Sequence, residues 1–356
     1  MIVTVNSQVL AQELRDVNKV VASKPTYPVL SHIWVHADQQ GLHFYATDLQ
    51  VGFITSCSAE VQIGGTITLP AKRLLGIIEQ LPNADVQLSL EKGHVHLTCG
   101  EFKSRLQTLP AADFPKLPHV EGDPIQFGAG VLQEMLSKVS YALADQNSKH
   151  NINGALLTQT GALLSLVATD GKRLSLSWMQ TPEGPDSRTI LPTKALEVLP
   201  TVFPNEALEV SRSDKHIFFL SEGRVFFSQM IDGKFPEYKR IIPQNNTKKA
   251  TIDRVALSAA LRRVGTVAEE NCATYLSFDV GGVDIKASSA AVGDAAEHVN
   301  LQYEGEPVRI CVNWQYVLDF LDAAHSHTVT LEGTTSTSPL LLTDGEFINV
   351  IMTMRP

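Results

Sequence analysis

The same arrangement of segments occurs three times along this chain of 356 residues, and that repetition limits its fold more than any single motif does. Ala46-Thr47-Asp48 returns as Ala168-Thr169-Asp170, and Leu69-Pro70-Ala71-Lys72 returns as Leu191-Pro192-Thr193-Lys194, both at an offset of 122 (170 − 48 and 192 − 70). Asp113-Phe114-Pro115 returns as Gly233-Lys234-Phe235-Pro236 at an offset of 121 (235 − 114). A fainter third copy puts Ile310-Cys311-Val312-Asn313 where a Leu-Pro segment would fall, an offset of 119 (311 − 192). Solenoids and propellers repeat every 20 to 50 residues or so, whereas a period of roughly 120 is the size of a whole domain. The chain therefore reads as one domain built three times, over 1–119, 120–245 and 246–356, with proline-bearing or polar joints at 115–124 and 243–249.

Each copy opens with a short strand and an amphipathic helix. Apolar residues at helical spacing predict helices over 7–21 (with Ser7 as its cap), 129–142 and 257–267. A second helix, entered through a proline or an asparagine, is predicted over 70–80, 192–202 and 313–323. Alternating segments such as 29–37, 41–47, 51–59, 86–90, 94–99 and 103–108 predict strands. Short strands with two helices per copy give an α+β fold with largely antiparallel sheet.

Hydrophobic content of 44% and charged content of 19% suit full globular cores. There is no apolar run long enough for a membrane span and no basic-then-apolar leader, so a cytoplasmic location is expected. Cys57, Cys99, Cys272 and Cys311 are scattered without metal-ligand spacing and read as reduced thiols. Thr47-Asp48 and Thr169-Asp170 read as side-chain-capped turns, not as catalytic aspartates, and Asp232-Gly233 as a tight turn between strands. His94 and His96 share a strand face but lack a third ligand. Because no paired carboxylates, nucleophile motif or phosphate loop occurs, neither an enzyme nor a cofactor is expected.

A formal net charge of −9 repels nucleic acid unless the positive charge is segregated. The helices carry much of it: Arg15, Lys19, Lys72 and Arg73 in the first copy, Lys138 and Lys194 in the second, Arg262 and Arg263 in the third. If equivalent helices face one way, an acidic protein presents one basic surface that binds phosphates without reading bases.

The strings 109–115, 168–174, 232–240 and 352–355, in this order along the whole chain, resemble the bacterial sliding clamp family, the beta subunit of DNA polymerase III. The resemblance implies a DNA clamp fold in which two chains, head to tail, close a six-domain ring around duplex DNA, helices inside and sheets outside. Such a clamp is a non-catalytic processivity factor that tethers the replicative polymerase. The resemblance maps DNA contacts to Lys24, Lys72, Arg73, Gln146, Lys149, His150, Asn151 and Lys194. Here Lys24 stands where arginine is usual, and His150 and Asn151 where tyrosines are often found.

It also implies a cleft that takes a short linear motif from the polymerase alpha subunit, the clamp loader and other polymerases and repair proteins. Its matched positions are Ile152, Thr169, Gly171, Lys172, Arg173, Leu174, Pro236, Arg240, Ile241, Val350, Ile351, Met352, Met354 and Arg355, with Thr353 and Pro356 departing from the usual residues. Thr266 and Val267 are the positions expected at the dimer interface.

Overall fold

The computed structural model describes every residue except Ser23, Asp123, 145–152, Glu270 and Pro356. By its internal contacts the chain divides into two compact units, Met1–Gly130 with Lys194–Met230, and Val131–Thr193 with Ile231–Pro356. The middle copy of the repeat thus contributes to both units.

The six expected helices are present: α1 (Ser7–Val20), α2 (Ala71–Ile78), α3 (Val131–Val139), α4 (Thr193–Val202), α5 (Arg254–Gly265) and α6 (Trp314–Ala323). Their buried residues fall at the spacing read from sequence, for instance Leu10, Leu14, Val17 and Val20 in α1 and Leu257, Leu261 and Val264 in α5. The cap of α1 is Asn6 rather than Ser7: its side chain accepts from Gln8 N and Val9 N. Ser7 is buried and its hydroxyl donates to Pro82 O instead. Asn313 and Asp253 cap α6 and α5 in the same way as Asn6. Pro70 and Pro192 end the preceding strands, so α2 and α4 start one residue later than expected.

Two antiparallel sheets make up each unit. The first unit has a five-stranded sheet, in which Ile2–Asn6 lies between Glu60–Ile63 and Asp85–Glu91 and the far edge is Phe102–Gln107. Its second sheet has eight strands. That sheet is spliced at its middle, where Val51–Cys57 pairs with Arg224–Gln229 in the register Phe227↔Gly52. The second unit repeats the device: Arg173–Pro192 pairs with Phe347–Ile351 in a seven-stranded sheet, with Val350 opposite Leu174. Its other sheet has four strands, from the open edge Gly293–Val299 to Val308–Asn313.

The two splices are filled by complementary residues. A Cβ at Gly52 would lie 2.2 Å from the Phe227 ring, so glycine is what admits the phenylalanine. At the second splice both partners, Leu174 and Val350, are aliphatic and of middling size, and both are buried. Each splice sits over an apolar cluster, Tyr45, Phe114, Phe218 and Phe227 in one unit, and Val167, Phe235, Leu341 and Val350 in the other.

Two strand expectations are corrected. Residues 29–37 begin with a 3-10 turn, Pro28–Ser31, because proline fixes φ and removes a ladder donor; the strand is His32–Asp38. Asp232-Gly233 lies in a long connection, anchored by buried Phe235, that passes through a 3-10 turn at Tyr238–Arg240 before the next strand, Lys248–Asp253, so it is not a tight turn between strands.

Candidate DNA interface and partner cleft

Of the basic residues read on the helices, most already have a carboxylate. Arg15 pairs with Glu79 at 2.8 Å, and Lys19 with Asp16 at 2.6 Å. Arg262 pairs with Asp322 at 2.7 Å, Arg263 with Glu297 through two contacts, and Lys194 with Asp48. Lys138, expected on a solvated basic face, is instead buried, bonded to Glu134 and lying over the Phe347 ring. Lys72 and Arg73 on α2, and Lys24 before it, are exposed and have no carboxylate partner among the described residues. These three cations stand in the first unit. Gln146, Lys149, His150, Asn151 and Ile152 lie outside the described residues.

The two Thr-Asp motifs fold into the same turn. Thr47 Oγ1 donates to Val51 O at 2.7 Å while Asp48 Oδ1 accepts from Gln50 N and Val51 N. Thr169 Oγ1 donates to Arg173 O at 2.7 Å while Asp170 Oδ1 accepts from Lys172 N and Arg173 N. The third residue of each turn has positive φ, 79° at Leu49 and 85° at Gly171. Glycine does this without steric cost, whereas Leu49 does not, and the surrounding side-chain bonds hold it there.

Arg173 is the most committed residue of the expected cleft. Its guanidinium bonds Asp170 at 3.0 Å, Asp319 on α6, and the carbonyl of Tyr141. It also lies between two rings, 4.3 Å from the centre of Tyr316 and 5.1 Å from that of Tyr141. Tyr141 continues the network to Ser175 and Asn349, and burial pushes its phenol far above its ordinary value. Arg173 therefore braces the turn against α6; it is not a free side chain awaiting a ligand.

The other expected cleft residues lie in the second unit and separate by exposure. Thr169, Leu174, Val350 and Ile351 are buried, with Leu174 at 2%. Gly171, Lys172, Arg240, Ile241, Met352 and Arg355 are exposed, with Met352 at 45%, and Pro236 and Met354 are half-buried. Leu174 and Val350 share one apolar cluster with Phe235 and Tyr238. Strand pairing brings Arg173 opposite Ile351, and Met352 N donates to Lys172 O at 2.9 Å. The surface these residues offer is thus a buried aliphatic floor with methionine, isoleucine and cations around it. Thr266 and Val267 follow α5, which packs against the open-edge strand Gly293–Val299; Thr266 is exposed and Val267 is half-buried against the core.

The chain matches, in succession, family models described as the N-terminal, central and C-terminal domains of the DNA polymerase III beta subunit, over residues 1–118, 127–237 and 239–355. The chain belongs to the DNA polymerase III beta subunit family. Among its beta-subunit relatives, the beta sliding clamp of Caulobacter vibrioides is 31% identical, covering 97% of this chain and 96% of that one. That of Pseudomonas putida is 30% identical, covering 99% of each. The solved beta subunit of Pseudomonas aeruginosa superposes with a TM-score of 0.95 at 29% identity over the full length of both chains. The Bacillus subtilis clamp superposes with a TM-score of 0.96 at 23% identity over 100% of this chain and 99% of that one, which speaks to the shared fold alone.

Several residues that shape this chain carried no sequence signal. Tyr141, Tyr316 and Asp319, which hold Arg173, are distant in sequence and look like ordinary helix and turn residues. Arg224 lies between the Phe53 and Phe203 rings and pairs with Asp16 and Glu206; only its place after a Glu-Gly hairpin turn, like that of Phe102 after Gly-Glu, could have drawn attention to it. Among the described residues no helix is long and apolar enough to cross a membrane, and no group of three or more side chains is placed to hold a metal.

Proposed function

We infer that this chain is a processivity clamp, which encircles duplex DNA as a head-to-tail homodimer and tethers the replicative DNA polymerase and other replication and repair proteins. It is not itself an enzyme, and it acts in the cytoplasm. Full-length likeness to beta sliding clamps supports the reading. Three domains, 1–119, 120–245 and 246–356, are supported by the three consecutive family matches and by the repeated offsets.

The observation that carries ring closure is a mismatch of edges. Two splices are made inside the chain, each joining the last strand of one copy to the strand after a Thr-Asp turn of another. One edge of each kind is left over: Phe102–Gln107 in the first unit and Gly293–Val299 in the second. An edge of unpaired N–H and C=O groups invites another strand, and a second copy supplies both complements at once.

The internal registers support a matching one between copies. Phe227 and Val350 each lie three residues after the first residue past a hairpin turn, which by the same count is Arg105. Gly52 and Leu174 pair with the turn threonines, and the 119-residue offset carries Thr169 to Ser288, which pairs with Asp294. Arg105 then faces Asp294 of the second copy, with Lys103 on the diagonal. Thr266 and Val267, beside that edge, belong to the same contact.

Lys24, Lys72 and Arg73 serve as backbone contacts in the bore, and the surface around Leu174, Ile241, Val350 and Met352 receives the partner motif. Retention on DNA tests the whole reading. Loaded protein should stay on circular duplex in salt that breaks direct contacts and leave once the circle is cut. Equal loss from circular and linear DNA contradicts encirclement.

A further inference from the structure

We propose that a groove beside the partner cleft binds an acidic segment flanking the apolar anchor of the partner motif; this rests on the partner-cleft reading and adds what the neighbouring surface recognises. The groove, about 1150 Å³, lies in the second unit between residues 158–160, 186–188 and 233–240. It shares Pro236 and Arg240 with the expected cleft, so a peptide seated there continues directly into it.

The chemistry of the groove is that of a charged channel. Phe235 and Tyr238 form its floor, packed edge to face with centres 6.3 Å apart, and both are buried already. Its rim bears Arg188, Lys234, Lys239 and Arg240 against two carboxylates. Those two are occupied: Asp186 Oδ1 accepts from Gly161 N at 3.2 Å, and Glu237 bridges Arg240 at 3.0 Å. Lys234 and Lys239 are exposed and have no carboxylate partner among the described residues. In a chain of net charge −9, this excess of cations along a groove favours acidic side chains. Duplex DNA fits less well, because the lysines stand on the 233–240 connection next to the peptide cleft and not on any of the six α-helices.

Calorimetric titration of the full-length dimer decides between these. The probes share one glutamine- and leucine-bearing core, either bare or extended at the N- or C-terminal end by aspartates and glutamates, or by the matching asparagines and glutamines. One acidic extension should bind about three- to tenfold tighter than its amide twin, the range expected of a pair of exposed charge contacts. The advantage should fade in raised salt and vanish in Lys234→Ala/Lys239→Ala, while the bare core binds wild type and variant alike. Equal affinity of acidic and amide peptides, or an advantage that survives in the variant, overturns the proposal but leaves the cleft standing. So does a variant that loses DNA retention instead of peptide preference. If the bare core fails to bind wild type, the cleft reading falls and this proposal falls with it.

Discussion

The ammonium of Lys194 is held by the carboxylate of Asp48, 146 residues away in sequence, while the other oxygen of that carboxylate turns the backbone at Gln50 and Val51. A lysine so engaged must break an ion pair before it can serve a phosphate. Lys72, on α2 and without a carboxylate partner among the described residues, has no such obligation. Replacing Lys72 with alanine is expected to lower the salt slope of DNA affinity by about one unit. Lys194→Ala should lower it by less than half as much. Fluorescence titration of duplex DNA across a salt series measures both, and equal slopes for the two variants would show that Asp48 releases Lys194 on binding.

The ring contact gives a charge-reversal test. Under the proposed register, Asp294→Lys puts like charges opposite Arg105 and near Lys103, and is expected to shift the dimer toward monomer in sedimentation at low micromolar concentration. Adding Arg105→Glu and Lys103→Glu to the same chain should restore the dimer. If Asp294→Lys sediments as wild type, the register is wrong.

Arg173 is expected to matter for stability before binding. Arg173→Ala strands Asp319, leaves Asp170 with only its backbone donors and empties the space between two rings, at a cost on the order of 2–4 kcal/mol once the partial exposure of Asp319 is allowed for. Arg173→Lys keeps the charge but not the planar fork, so it should recover only part of this. Urea unfolding midpoints compare the three chains.

Met352 and Leu174 should separate cleanly in their effects. Met352 is exposed, so Met352→Ala is expected to weaken a clamp-binding peptide roughly three- to tenfold with unchanged stability. Leu174 is buried, and Leu174→Ala should cost about 2–4 kcal/mol of stability as well as affinity. Unaltered peptide affinity in Met352→Ala, read by calorimetry, removes that side chain from the site.

Alkaline pH should expose Tyr45. Burial, partly offset by a bond with Thr47, pushes its phenol up to about 12. Its pKa is raised on folding, so its contribution is complete below pH 10 or so, where the unfolded phenol begins to ionise, and is lost as pH climbs toward 12. Wild type should lose more stability between pH 9.5 and 11.5, roughly, than Tyr45→Phe does. Parallel losses in denaturant unfolding would count against it.

Sequence reached the repeat, the six helices and the two Thr-Asp turns because each is written locally, in apolar spacing or in a threonine and aspartate that bond their own backbone. It overestimated the free positive charge because the neutralising residues are remote: Glu297 for Arg263, Asp322 for Arg262, Asp48 for Lys194. It could not reveal the open edges either, since an edge is defined by what every other strand has already paired with.

Gly52 with Phe227, and Leu174 with Val350, divide a similar space differently across the same kind of strand pair. The sister copies have therefore stopped being sources of spare parts for one another. A leucine borrowed at position 52 collides with the ring, and a phenylalanine borrowed at 350 meets a leucine where its counterpart found a hydrogen. Only an exchange of both members transfers, so divergence at these seams proceeds through coupled changes whose separate costs do not add.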